Sequence, residues 1–390
     1  MKKLTAIVAL MCVFTLAICF VVIGAISVEL KSALGIGNAQ IGTLVMTLFL
    51  TACVIQLVIG PLVDKFGHKP IAILGFIICS LSIFILGLAA SFGMALLAAF
   101  LLGIGAMCVN TVGNTLIPVV LFNGKDPARA SNFGNAFFGL GLICTPLIIS
   151  ALGLRYNIAL FYTGAAILMF LLFSIFASYP QVSTGFKFLM AVKLLAKKSV
   201  IVAALALVCY ISLESTMNTW IKPFMAELFE GSGNSNFLAH SGFVLSLFGV
   251  CMALGRFISS AIKNLTKIGI RIIAAGSIIS MLAIVLMIVT KSYVFAILAV
   301  VLLGFCFAPI FPIIVGVTFA QFEPKFYGSI FGIIFSIGLL GGTFVPQYVG
   351  YLAKNRPIQQ SLWIAVIMAA LLFVVTLIMG KSNLEEKTKK

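Results

Sequence analysis

Residues 56–70 read QLVIGPLVDKFGHKP, a short polar passage between two long apolar runs. Gly60, Asp64, Gly67 and Lys69 fall within ten positions, a polar density that is rare elsewhere in this chain. A turn this short, charged and rich in glycine requires the two flanking runs to approach closely. It also leaves an acid that needs a partner.

The runs on either side set the class of protein. Hydrophobic residues make up 62% of the 390 positions, charged residues 9%, and mean hydropathy is +1.25. A water-soluble domain of this length cannot hide so much apolar surface. Crossing a bilayer as a helix takes about 20 apolar residues. By that ruler twelve spans are predicted, at 4–28, 41–63, 70–90, 92–121, 130–152, 157–178, 200–226, 238–262, 269–290, 293–320, 327–352 and 359–380. The runs lack the alternation of a membrane barrel, so an all-α membrane protein of twelve transmembrane helices is expected. Lys2 and Lys3 precede the first run, which is longer than a signal-peptide core and has no small-residue cleavage signal, so it reads as a retained span.

Charge predicts orientation. The net charge is +16, yet the bases do not form a nucleic-acid face. Most of the 25 Lys and Arg residues fall in alternate connections, and only Lys31, Arg155, Lys291, Lys354 and Arg356 fall in the others. An excess of bases marks the cytoplasmic side, which puts both termini there; in a bacterium the membrane would be the cytoplasmic one. The longest connection, 179–199, reads YPQVSTGFKFLMAVKLLAKKS, with apolar residues at helical spacing and lysines between them. It is expected to be an amphipathic linker on the inner surface, between one six-helix bundle over 1–178 and another over 200–390. The two halves echo each other at an offset of 200: Leu140 with Leu340, Gly141 with Gly341, Pro146 with Pro346, and Asp64 opposite Asn264. Such parallel repeats are a known transporter plan.

The stretch GPLVDKFGHKP resembles the signature loop of the major facilitator superfamily, G-x-L-x-D-R-x-G-R-R/K. Gly60, Leu62, Asp64, Gly67 and Lys69 match, Lys65 replaces an arginine, and His68 stands where a second base is common. The resemblance implies the major facilitator fold of two pseudo-symmetric bundles, rocking about a central site. It also implies that the loop, with Asp64 meeting a base or a helix N-terminus across the interface of the halves, latches the outward-open state. YISLESTMNTW at 210–220, ALGRFISS at 253–260, FGNAFFGLG at 133–141 and GGTFVPQYVG at 341–350 resemble the fucose permease-like branch of sugar–cation symporters. The chain departs from proton-coupled members of that branch in having no acid over 92–121; near the first span there is only Glu29, at its outer end.

Ionisable groups inside a bilayer are costly, so each marks a candidate site. Tyr210, Glu214 and Asn218 share one face of span 7 at intervals of four. Glu214 reads either as a titrating binding group or as a structural acid satisfied by Arg256 of span 8. Arg256 itself reads as a structural partner or as a contact for an anionic solute, in which Lys222 would share. Trp220 would stack on a sugar, gate the outer side or anchor at the interface. Asn110 and Asn114, one turn apart in span 4, suit a hydroxyl-rich ligand or glue helices together. Gln56, Asn132, Asn135 and the stripe Ser336, Thr343 and Gln347 are weaker cases of the same kind. The phenylalanines read as lipid-facing or core, and His68 as a solvated loop residue.

No Walker loop, nucleophile–base pair or metal-ligand spacing is present in the sequence, so neither an enzyme nor a bound cofactor is expected. The expected function is secondary active transport of a small polar solute, sugar-like by resemblance, coupled to H+ or Na+. Export of drugs or metabolites and uptake of organic anions or amino acids remain open on the same fold, with a non-transporting receptor a distant third. The expected partners are the solute and the lipid bilayer, and the expected working unit is a monomer.

Overall fold

The structure is a computed structural model that describes residues 2–121, 127–152, 155–231, 233, 236–260, 262, 265–323 and 326–388. Among them there are sixteen helices and no strand. The first half holds α1 (Lys2–Ala25), α2 (Ser27–Leu34), α3 (Asn38–Phe66), α4 (His68–Gly87), α5 (Phe92–Val120), α6 (Pro127–Leu152) and α7 (Tyr156–Phe176). The linker contributes α8 (Phe188–Leu194). The second half holds α9 (Lys198–Gly231), α10 (Phe237–Ser260), α11 (Leu265–Val289), α12 (Tyr293–Phe307), α13 (Ile310–Phe319), α14 (Tyr327–Leu352), α15 (Ile358–Ser361) and α16 (Trp363–Thr388). Twelve helical segments are long and apolar enough to cross a membrane, and they fall on the twelve runs read from the sequence. The chain is an integral, multi-pass membrane protein.

Two departures from the apolar runs have local causes. Span 10 is broken into α12 and α13 at Ala308–Pro309, because Pro309 offers no backbone N–H and its ring crowds the preceding turn. The linker is helical only over Phe188–Leu194, not throughout 179–199. Its first part forms no regular element, and Gly185 there adopts φ of +68°, which a helix cannot accept.

The repeat seen at an offset of 200 has a packing basis. A Cβ on Gly141 would lie 2.6 Å from the Phe14 carbonyl of α1, and one on Gly341 would lie 2.2 Å from the Val208 carbonyl of α9. Spans 5 and 11 therefore cross spans 1 and 7 at equivalent glycines, backbone against backbone. The halves meet through α1 with α9, α3 with α14, and α6 with α10. Asn264, the counterpart of Asp64, and the side chains of Asn132, Lys125, Arg129, Lys263, Lys267 and Lys325 lie outside the described residues.

Candidate functional site

A cavity of about 660 Å³ separates the two halves. Its lining runs from mid-span residues Phe20, Phe49 and Asn218 to Pro118, Ile262, Phe319 and Gly328, which stand at the helix ends nearest the termini. It therefore widens toward the side that carries the termini.

The opposite side is shut by contacts between the halves. Lys222 Nζ lies 2.5 Å from Glu29 Oε1 and 2.8 Å from Oε2, and also donates to the Ala25 carbonyl. Both side chains of this pair are almost fully buried. A Cβ on Gly24 would fall 2.1 Å from the Asn218 carbonyl, so α1 and α9 touch at the backbone there. Nearby, Asn38 Nδ2 donates to the Ala353 carbonyl at 3.2 Å and Gln347 Nε2 to Thr43 Oγ1 at 3.1 Å. Lys31, outside the spans, donates to Asn38; burial lowers its ammonium from the ordinary lysine value, and the charge of Glu227 opposes that shift.

Helix α9 carries the polar face of the cavity. Three of its hydroxyls are satisfied within the helix: Ser212, Ser215 and Thr219 donate to the carbonyls four residues back. This leaves the row Tyr210, Glu214, Asn218 and Lys222, spaced by four, to face other helices. Glu214 and Asn218 line the cavity, as does Arg256 from α10. Arg256 Nη2 sits 3.6 Å from Glu214 Oε1, and its guanidinium stands over the Phe138 ring at 5.1 Å from the centroid. Among the described residues, Glu214 Oε1, Arg256 Nε and Asn218 Oδ1 are buried without a hydrogen-bond partner. The site thus holds an acid and a base close enough to attract each other, with hydrogen-bonding capacity left over.

The first half supplies amides. Asn110 Nδ2 donates to Gln56 Oε1 at 3.2 Å, and Asn114 Nδ2 donates to Asn110 Oδ1 at 2.8 Å. All three line the cavity, together with Asn135. The rest of the wall is aromatic: Phe20, Phe49, Phe138, Phe311, Phe331 and Phe335. The sequence had assigned phenylalanines to lipid and core; here several are drawn inward because α13 and α14 stack them edge-on and face-on, as with Phe311 and Phe335 at 5.9 Å and Phe331 and Phe335 at 5.3 Å.

Other expected residues lie elsewhere. Tyr210 is fully buried behind the pair, packed against Phe307 and Phe311, and is not part of the cavity wall. Trp220 neither reaches the cavity nor anchors at an interface: it is fully buried in the second half, and its Nε1 donates to the Pro346 carbonyl at 3.1 Å. Gln347 belongs to the closed side with Thr43, and Ser336 and Thr343 are spent on the carbonyls of Cys53 and Leu339. Lys222 is held by Glu29 and does not face the cavity.

The signature loop is also corrected in detail. Gly67 joins α3 to α4 with φ of +84°, a conformation that favours glycine. Lys65 and Lys69 are exposed, Lys65 lying over the Phe66 ring. Asp64 meets the linker rather than a base or a helix end. It accepts the Thr184 backbone N–H at 2.6 Å and the Thr184 hydroxyl at 2.9 Å. His68 is buried, its Nε2 bonded to Thr115 Oγ1 at 2.9 Å. Thr115 lines the cavity, so the loop and the cavity share a hydrogen bond. Sequence reasoning missed Thr184, Phe186 and the Glu29–Lys222 pair. Two lone charges of opposite sign, each toward the end of its span that lies away from the termini, were the only available signal for the pair.

The Major Facilitator Superfamily model matches this chain over residues 8–346 and 204–390. A probable nitrate transporter of Staphylococcus epidermidis is 29% identical over 142 residues, which are 35% of this chain and 36% of the relative. A probable L-galactonate transporter of Escherichia coli is 29% identical over 126 residues, 32% of this chain and 28% of the relative. The chain thus spans about a third of the length of the curated relatives it matches. The crystal structure of the nucleoside transporter NupG superposes with a TM-score of 0.77 at 17% identity, covering 97% of this chain and 99% of the other. A bacterial homologue of the human lysosomal transporter Spinster gives 0.76 at 16% identity, covering 97% of each. These two likenesses speak to the fold.

Proposed function

The chain belongs to the Major Facilitator Superfamily, a family of transporters and not of enzymes, and from that premise we propose that it carries a small organic anion across the membrane by alternating access. The observation that carries this reading is the Glu214–Arg256 pair in an otherwise aromatic and amide-lined cavity. A guanidinium that faces a cavity recognises a carboxylate through paired hydrogen bonds. Glu214 competes for the same group. Protonation of Glu214 removes its charge and releases Arg256 to the solute, so one proton enters with one anion. The phenylalanine wall suits a solute with an apolar flank. The names of the two curated relatives, a nitrate and an L-galactonate transporter, agree with an anion. On this reading the wide mouth of the cavity faces the cytoplasm and the Glu29–Lys222 pair closes the outside, in keeping with termini that are cytoplasmic by charge.

A second reading, a neutral sugar-like solute, draws on one observation, the amide chain Gln56–Asn110–Asn114. A ligand that binds the folded state raises apparent stability, by about 2.7 kcal/mol at a hundredfold excess over Kd. Thermal unfolding of the purified protein against organic acids, amino acids, nucleosides and neutral sugars separates the readings. Organic acids with an apolar flank are expected to raise the midpoint, the more so at acidic pH. Stabilisation by neutral sugars alone would overturn the anion reading.

A further inference from the structure

Helices α3 and α14 form a seam between the halves that is closed at one end and wedged at the other. From the closed end inward, Asn38 meets Ala353, Thr43 meets Gln347, Phe49 packs on Gly342, and Cys53 accepts from Ser336. Each step moves nearly equally along both helices in opposite directions. Continued for two more turns, this register sets Gly60 opposite the turn that carries Gly328 and Gly332. Those glycines do not meet. The non-helical part of the linker lies between them.

The fit of that segment is close. A Cβ on Gly60 would stand 3.0 Å from Phe186 Cβ, one on Gly332 would stand 2.4 Å from Phe186 Cδ2, and one on Gly328 would stand 2.1 Å from the Thr184 carbonyl. Phe186 is buried, and with Thr184 it forms part of the cavity wall. The segment is tied to both halves. On the first, Asp64 holds Thr184 by two hydrogen bonds. On the second, the Lys187 backbone N–H donates to Ser329 Oγ at 3.0 Å. Gly185, at φ of +68°, makes the turn between the two attachments.

We propose that Thr184–Phe186 is a wedge that holds the termini-side mouth open and must withdraw before α3 and α14 close over it. A phenylalanine ring and a closed glycine seam cannot occupy the same gap, because packed interiors leave no room for a second side chain. Closure therefore loses the burial of Phe186 and both bonds of Thr184, and gains the direct contact of Gly60 with the Gly328–Gly332 turn. The balance sets how much of the protein rests open toward the termini. The signature acid takes part through the linker: Asp64 secures the wedge in this conformation and is released when the wedge leaves. The inference rests on alternating access, but its test needs no solute.

Spin labels at Phe66→Cys and Ile262→Cys, at the termini-side ends of opposite halves, report the width of the mouth. The background carries alanine at the half-buried Cys53, Cys144 and Cys306, the remaining six cysteines being buried. Phe186→Ala and Thr184→Val are each expected to move population from the longer to a shorter label distance, Phe186→Ala the more. An unchanged distribution, or a shift to longer distances, would overturn the proposal. If Phe186→Ala cannot be purified, Thr184→Val decides alone, since it removes a hydroxyl of nearly the same volume.

Discussion

Lys222 and Glu29 lie 2.5 Å apart in the interior of the protein, one from each half, and the ammonium also takes the Ala25 carbonyl. No solute can use Lys222 while this contact stands. The pair ties α9 to α2 on the side away from the cavity mouth, and it must break if that side is to open. It is thus the counterpart of the linker wedge at the other end of the molecule.

Breaking one partner of a buried pair leaves a charge without compensation, at a cost of about 3–5 kcal/mol. Lys222→Met should therefore lower the thermal midpoint sharply and favour the state open on the far side. Adding Glu29→Gln should recover most of the loss, because the stranded carboxylate is gone. The thermal midpoints of the two single variants and the double variant form the check. Additive losses would mean that the pair does not couple the halves.

Gly24 tests the same closure by shape. Its Cβ position falls 2.1 Å from the Asn218 carbonyl, which is backbone and cannot give way cheaply. Gly24→Val should bar closure of the far side, allowing solute to bind there while net transport falls by at least tenfold. Binding and uptake measured side by side on reconstituted protein would show the split. Normal uptake would mean that α1 and α9 need not meet at this level.

Asp64→Asn keeps the shape of the side chain and weakens its two bonds to Thr184, since a carboxylate accepts more strongly than an amide. Transport should slow, with solute affinity held within about threefold, as equilibrium binding would register. A large loss of affinity with little change in conformational balance would make Asp64 a ligand for the solute instead.

Much of this architecture was legible in the sequence. The twelve apolar runs and the repeat at an offset of 200 each have a simple cause in hydrophobicity or in glycine packing, and each corresponds to a feature of the fold. The polar row of α9 was also legible, because Glu214 and Asn218 share a helical face by spacing alone. What could not be read was depth and partnership. Trp220 and Glu214 lie less than two turns apart, yet one is sealed in the second half while the other lines the cavity. Their difference arises from α14, whose Pro346 carbonyl takes the indole. Likewise nothing in VSTGFK marks Phe186 as a residue that reaches between two distant glycines. That placement depends on helices joined only in three dimensions.

Arg256 should be the residue most sensitive to solute chemistry. Arg256→Gln keeps hydrogen bonding but loses the charge and the paired geometry, and organic-acid binding should weaken by at least tenfold, about 1.4 kcal/mol. Arg256→Lys should restore part of it, a lysine being a point charge without the fork. Isothermal binding to the three proteins gives the ranking. Equal affinities would leave Arg256 a structural partner of Glu214 alone.

The central claim is that Glu214 surrenders Arg256 to an anion by taking a proton. Its most direct test is the pH of a lightly buffered suspension of proteoliposomes when the neutralised salt of an organic acid that stabilises the protein is added. Wild type should draw protons inward with the solute and raise the external pH. Glu214→Gln, neutral at every pH, should still bind and exchange the solute but leave the external pH unmoved. Proton uptake that persists unchanged in Glu214→Gln would contradict the account.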